Sequence, residues 1–353
     1  MVSQYSPTMP KRESETQTHQ VAEKRRKIVD DNDGTQLATT PPQQHATSPL
    51  TTTIELIRLD RIRDALNNKR LVIMVGAGVT LNATATRSGD MLGELSWKGL
   101  IQNGLNYLVA DGHVEEDHRS LRFARDILQD SKSQPKELLQ AAGILKDFLE
   151  DAGHLPTWLH DTFSGLSEQV RHADILNVLK SFHDKGAQLL TTNYDDLLEE
   201  GHCNLPRIRR TNHEELLKFQ NRDIRGVVHV HGSFHDPTDV ILDTTDYYKI
   251  KTSDDVQKLL KTLWNTCTIL FVGCGSGLED PNFSALLKWA CEHQNNILNR
   301  HCLLVRTGDP LNVKPLVRLQ FGTSYTDLVP YLQRLLEDPE QSAAGGSTRP
   351  NRK

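Results

Sequence analysis

Leu71-Val72-Ile73-Met74-Val75 is an unbroken apolar run that stops abruptly at Gly76-Ala77-Gly78. The run has the length of a strand, and its lack of polar alternation predicts one covered on both faces, as in a parallel sheet. Glycines placed directly after such a strand permit a tight turn into a helix. There, backbone N–H groups can approach a ligand closely and the helix dipole favours negative charge. Segments 188–191, 227–231, 268–272 and 302–305 share the same apolar character. Helical patterns lie between them, at Asp195–Gly201, His213–Phe219, Asp254–Trp264 and Phe283–Cys291. This alternation predicts an α/β fold with a Rossmann-like, mostly parallel sheet. Between the first two strands the pattern is helical instead, near Leu100–Val109, Leu121–Leu128, Lys136–Leu149 and Ile175–Phe182. The region from about 98 to 183 therefore reads as a helical insert.

Composition delimits the folded part. Residues 1–50 are rich in Thr, Gln, Ser and Pro and would bury too little apolar surface to offset chain entropy, so a disordered tail is expected. A second such tail is expected at 339–353, leaving 51–338 as one folded domain. The formal charge of −5, from 41 basic and 46 acidic residues, argues against a surface built to grip nucleic acid. No apolar run approaches the roughly 18 residues of a membrane span, and no secretory segment opens the chain. A cytoplasmic setting is the expectation. Lys24-Arg25-Arg26-Lys27 could serve as a nuclear address, although acids such as Glu23 and Asp30 offset it. The five cysteines form no CxxC pair, which disfavours a disulfide scaffold and a zinc ribbon.

Four constellations could carry chemistry. Gly76-Ala77-Gly78 suits a phosphate-binding turn, but Leu81 stands where the dinucleotide fingerprint wants a third glycine, so a plain tight turn is the alternative. Thr191-Thr192-Asn193-Tyr194-Asp195-Asp196 follows a strand, at the sheet edge where open α/β folds bind ligands. Either Asp could equally cap the following helix. In His229-Val230-His231-Gly232-Ser233 the two imidazoles would share one strand face, with His231 at the strand end suited to a general base. A metal site extended by His235 and Asp236, and a hydrogen-bonded core histidine, are the competing readings. Finally, Gly273-Cys274-Gly275-Ser276-Gly277 after a strand supplies a second glycine turn on the same edge.

Taken in order, Gly76-Ala77-Gly78-Val79-Thr80, Thr192-Asn193-Tyr194-Asp195, His231-Gly232-Ser233 and Gly273-Cys274-Gly275-Ser276 resemble the sirtuin superfamily. The similarity is greatest to sirtuin-like domains of bacterial anti-phage and fungal defence-type proteins, and it covers roughly Leu66 to Val305. The resemblance implies NAD as substrate, with Gly76, Ala77, Gly78 and Thr80 at the diphosphate and nearby ribose. It implies Asn193 and Asp195 at the nicotinamide ribose, His231 as the base, and Gly273, Gly275 and Ser276 at the adenosine half. Ser233 joins the cofactor-binding set, and Trp97 would cover the ligand, although a core aromatic at a helix start explains it as well.

Two departures bear on activity. The two CxxC pairs of the zinc module in sirtuin deacylases are missing, so no zinc is expected, and Thr192 stands where those enzymes usually have Gln. The resemblance therefore implies an NAD glycohydrolase releasing nicotinamide and ADP-ribose, in a defence or cell-death setting. An NAD-dependent deacylase or ADP-ribosyltransferase, a non-catalytic NAD or ADP-ribose sensor, and a metal hydrolase are the alternatives. A homo-oligomer or a regulatory partner chain is the expected assembly.

Overall fold

A computed structural model describes residues 49–86, 92–252, 254–279, 281–293 and 300–337. The two tails expected from composition lie essentially outside the described residues. Helix α1 (Pro49–Asn67) leads into β1 (Leu71–Val75), α2 (Ala77–Thr84), α3 (Trp97–Ala110), α4 (Arg119–Gln129), α5 (Pro135–Asp151), α6 (Leu155–Phe163) and α7 (Asp174–Asp184). The chain continues through β2 (Gln188–Thr191), β3 (Arg207–Ile208), α8 (His213–Gln220), β4 (Val227–His229), α9 (Thr244–Thr252) and α10 (Asp254–Thr266). It then runs through β5 (Thr268–Val272), α11 (Pro281–His293), β6 (Cys302–Val305), β7 (Val317–Gln320) and α12 (Leu328–Leu336). No described helix is long and apolar enough to cross a membrane.

The seven strands form one sheet in the order β3-β4-β2-β1-β5-β6-β7, and every pairing is parallel. The fold is thus α/β and Rossmann-like. Side chains alternate strictly along the inner strands. Leu71, Ile73 and Val75 of β1, with Leu270 and Val272 of β5, point into the core beneath α1, α7, α12 and the insert. Val72 and Met74, with Ile269 and Phe271, point into the opposite core beneath α8, α10 and α11. Burial on both faces is why these strands read as continuous apolar runs.

Register places the functional segments. Val75 pairs with Thr191 on one side and Val272 on the other, and Thr191 pairs with His229. Gly76, Thr192, Val230 and Gly273 therefore leave the sheet side by side along its carboxyl edge. The sheet switches direction around β1, since the chain fills β2 and β4 on one side and β5 and β6 on the other. In open α/β sheets that point is where a ligand crevice forms.

Two edge strands and one loop differ from expectation. β3 and β7 add edge strands to the five that the apolar runs predict. Segment 195–201 forms turns rather than a helix. Asp195 accepts the Leu197 N–H as in a cap (3.3 Å), but Asp196 bonds His235 and Glu199 bonds His229, so the chain is held in a loop.

The insert is bolted to the sheet domain by a buried cation. Lys146 of α5 contacts Asp246 in the first turn of α9 and lies 3.6 Å from Asp243 and 3.5 Å from Glu150. Burial disfavours its charge, but the hydrogen bond and charge of Asp246 outweigh that and raise its pKa. Lys146→Ala would leave two buried carboxylates uncompensated, a loss on the order of 3–5 kcal/mol in chemical denaturation. Unchanged stability would show that the pair is solvated in solution.

Candidate functional site

The two glycine turns meet backbone to backbone. Gly76 N–H donates to the Val272 carbonyl and Gly78 N–H to the Gly273 carbonyl, both at 2.9 Å. A methyl group on Gly76 would lie 2.6 Å from the Cys274 Cα and the Gly273 oxygen, and one on Gly78 would lie 2.9 Å from the Gly273 Cα. Gly273 adopts φ +69, and a methyl there would lie 2.7 Å from the Val79 nitrogen. Only glycine permits this approach. Helix α2 starts from this joint with Gly76 at its N-cap and no side-chain cap, which keeps its positive end open to an anion.

A cleft of about 440 Å³ opens above the joint. Its floor contains Ala77, Gly78, Gly273, Cys274, Gly275 and Gly277, and one end carries Asn193, Asp195, His231 and Tyr247. Trp97, Leu100, Leu138, Leu139 and Phe163 of the insert form its apolar wall, while Arg306, Asp309 and Tyr325 line the β6 side. Arg306 packs over the Tyr325 ring, 5.1 Å from its centroid.

At the polar end a relay orders the side chains. Asn193 Nδ2 donates to Thr80 Oγ1 at 2.9 Å, and Thr80 donates its hydroxyl to Asp195 Oδ2 at 2.7 Å. The direction is fixed because a carboxamide nitrogen only donates and an ionised carboxylate only accepts. Asn193 Oδ1 is buried with no partner among the described residues, in a side chain that lines the cleft. A buried orphan acceptor costs about 1–3 kcal/mol unless a donor reaches it. Burial pushes the Asp195 carboxyl up to about 6, against the hydrogen bonds from Thr80 and the Leu197 N–H.

Below Asn193, His229 Nδ1 lies 3.0 Å from the Asn193 carbonyl and Nε2 lies 2.6 Å from Glu199 Oε1. A carbonyl can only accept, so Nδ1 bears a proton. Burial opposes a second proton, but the charge and hydrogen bond of Glu199 prevail and raise the pKa. His229 thus fixes the Asn193 backbone and is itself held by Glu199. His231 is different: burial, then the nearby Arg210 charge, push its pKa down to about 3, so the imidazole is neutral. It stands edge-on to Tyr247, with centroids 5.6 Å apart. The two histidines face different partners rather than converging as a chelating pair.

The structure therefore brings Ala77, Gly78, Trp97, Asn193, Asp195, His231, Gly273 and Gly275 to one cleft. Gly76 and Thr80 support it from below. Ser233 does not line it: its hydroxyl lies 3.4 Å from both the Tyr194 carbonyl and Arg207 Nη1. Ser276 is on the turn after Gly275, with its side chain outside the described residues. Tyr247, Arg306 and Glu199 have no motif to betray them, because helices and loops far apart in sequence supply them, whereas His229 is the hydrogen-bonded core histidine that its motif allowed.

Residues 187–325 match the SIR2-like domain family. That segment is similar to SIR2-like domains. The matched segment begins one residue before β2 and holds Asn193, Asp195, His231 and the second glycine turn. The first glycine turn and the helical insert precede it in sequence. The orphaned Asn193 oxygen, the uncapped helix end and the glycine floor fit a dinucleotide, the ligand class of such domains.

The floor gives a paired test. Gly76→Ala should destabilise the protein by about 1–3 kcal/mol and abolish ligand binding, since its methyl would strike backbone. Gly277→Ala, whose methyl meets nothing within 4 Å, should change stability by no more than about 0.5 kcal/mol. Thermal denaturation compares them, and equal effects would contradict the interlock.

Proposed function

We propose that this protein is an NAD glycohydrolase, in which water replaces nicotinamide at the anomeric carbon of the ribose. The observation that carries the reading is the unpartnered Asn193 oxygen sharing a cleft with the neutral imidazole of His231. The products are nicotinamide, ADP-ribose and one proton. Nicotinamide departs neutral from a cationic ring, taking the electrons of the broken C–N bond, so no general acid is needed. The transition state has oxocarbenium character, as in glycoside cleavage.

In this scheme Asn193 Oδ1 accepts a hydrogen bond from the water or a ribose hydroxyl, and the neutral His231 imidazole accepts a hydrogen bond from the attacking water, whose proton passes on to solvent. Asp195 holds Thr80 and, through it, the Asn193 carboxamide, while its charge favours the developing cation. The diphosphate rests on the glycine joint at the open end of α2, and the adenosine half extends towards Gly275, Gly277 and Arg306. Water is favoured over a protein nucleophile for two reasons. Insert side chains Leu138, Leu139 and Phe163 wall the cleft, and the sequence lacks the CxxC pairs of the deacylase zinc module.

Purified protein given NAD alone should release nicotinamide, and release only on addition of an acyl-lysine peptide would overturn the proposal in favour of a transferase. His231→Ala and Asn193→Ala should each lower kcat by at least about 100-fold without a comparable loss of thermal stability. Above pH 6 Asp195 is ionised and below it is protonated, so kcat/KM should fall as pH drops through about 6. Asp195→Asn should remove that acid limb, and its persistence would assign the limb to another group.

A further inference from the structure

Helices α3 and α5 end in the same turn. Each is followed by a C-cap residue and then a glycine at φ +71, Gly112 and Gly153. Each next residue donates its N–H back to the helix, His113 to the Leu108 carbonyl at 2.9 Å and His154 to the Leu149 carbonyl at 2.7 Å. Both ends are therefore Schellman turns, and both carry histidine at the position after the glycine. The two imidazoles approach to 3.9 Å between centroids. Asp111, the C-cap of α3, brings a carboxylate, and one donor atom from each of Asp111, His113 and His154 lies within 4.8 Å of the others.

A fourth side chain prepares His154. Tyr107 Oη lies 2.8 Å from His154 Nδ1. In the tautomer in which the phenol oxygen accepts from Nδ1–H, the Nε2 lone pair is free for a metal. That is how an outer-shell partner fixes the tautomer of a ligating imidazole. Neither nitrogen of His113 has a hydrogen-bond partner among the described residues. The cluster Asp196, Glu200 and His235 is unlike this, because His235 Nε2 and Asp196 Oδ2 satisfy each other at 2.7 Å.

We propose that Asp111, His113 and His154 bind one divalent first-row transition ion such as zinc, with Tyr107 as a positioning residue. Two imidazoles and one carboxylate are a donor set for zinc or iron at roughly 2.0–2.2 Å, reached by small side-chain rotations that draw the three donors together. The ion joins the ends of α3 and α5, whose opposite ends supply Trp97 and Leu138 to the cleft. It holds the insert rather than taking part in chemistry.

The test uses the full chain stripped with a chelator and titrated with Co(II), read by its visible absorption, then with Zn(II) by calorimetry and metal analysis. One ion per chain is expected, with a rise in Tm. His113→Ala and His154→Ala should each weaken binding by about tenfold or more, and Tyr107→Phe should weaken it by about tenfold. His235→Ala should leave binding unchanged. Binding that is undetectable, or that is lost with His235→Ala but not with His113→Ala, would overturn the proposal. Circular dichroism verifies that each variant is folded, and none of these readouts depends on NAD turnover.

Discussion

The structure depends on the contact between two glycine turns that leave neighbouring strands. β1 and β5 are locked in register, and their continuations, Gly76–Gly78 and Gly273–Cys274, pack so closely that no Cβ fits between them. The two N–H···O bonds across the joint satisfy backbone groups that would otherwise be buried and bare. The consequence is a floor made of main chain, low enough for a ligand to reach the start of α2. Side chains from distant loops then stand around that floor rather than filling it.

The polar end of the cleft is held by groups that themselves need holding. Asn193 is fixed at both its side chain and its backbone, the first through Thr80 and Asp195, the second through His229 and Glu199. A buried hydrogen-bonded network of this sort rigidifies a site because an alternative rotamer would strand polar groups that are now bonded. Two of its acceptors have no partner among the described residues, the Asn193 carboxamide oxygen, which belongs to a side chain lining the cleft, and Glu199 Oε2. His231 differs again, kept neutral by burial among aromatic rings and by the Arg210 charge. The insert is anchored at Lys146 and lines the apolar side of the cleft.

Much of this is legible in the sequence, for physical reasons. β1, β2, β4, β5 and β6 are buried on both faces and so are written in apolar residues, and the positions just after them fall on one edge by topology alone. β3 and β7 escape because edge strands bury less: β3 has two residues and β7 alternates Val317, Arg318, Leu319 and Gln320. Segment 195–201 has helix-compatible composition, yet bonds from Asp196 and Glu199 to histidines near β4 hold it in turns. Asn193, Asp195 and His231 follow strands and were visible there. Tyr247 and Arg306 owe their positions to tertiary packing, and Ser233, adjacent to the His231-Gly232 pair in sequence, turns away to Tyr194 and Arg207.

The account's central claim is that this cleft delivers water to the anomeric carbon of a bound dinucleotide. The most direct measurement runs the reaction in water enriched in heavy oxygen and locates the label by mass spectrometry of the products. The account predicts one heavy oxygen on the nicotinamide-side ribose of ADP-ribose and none in nicotinamide. ADP-ribose appearing without label, or the ribose found joined to another acceptor, would contradict it.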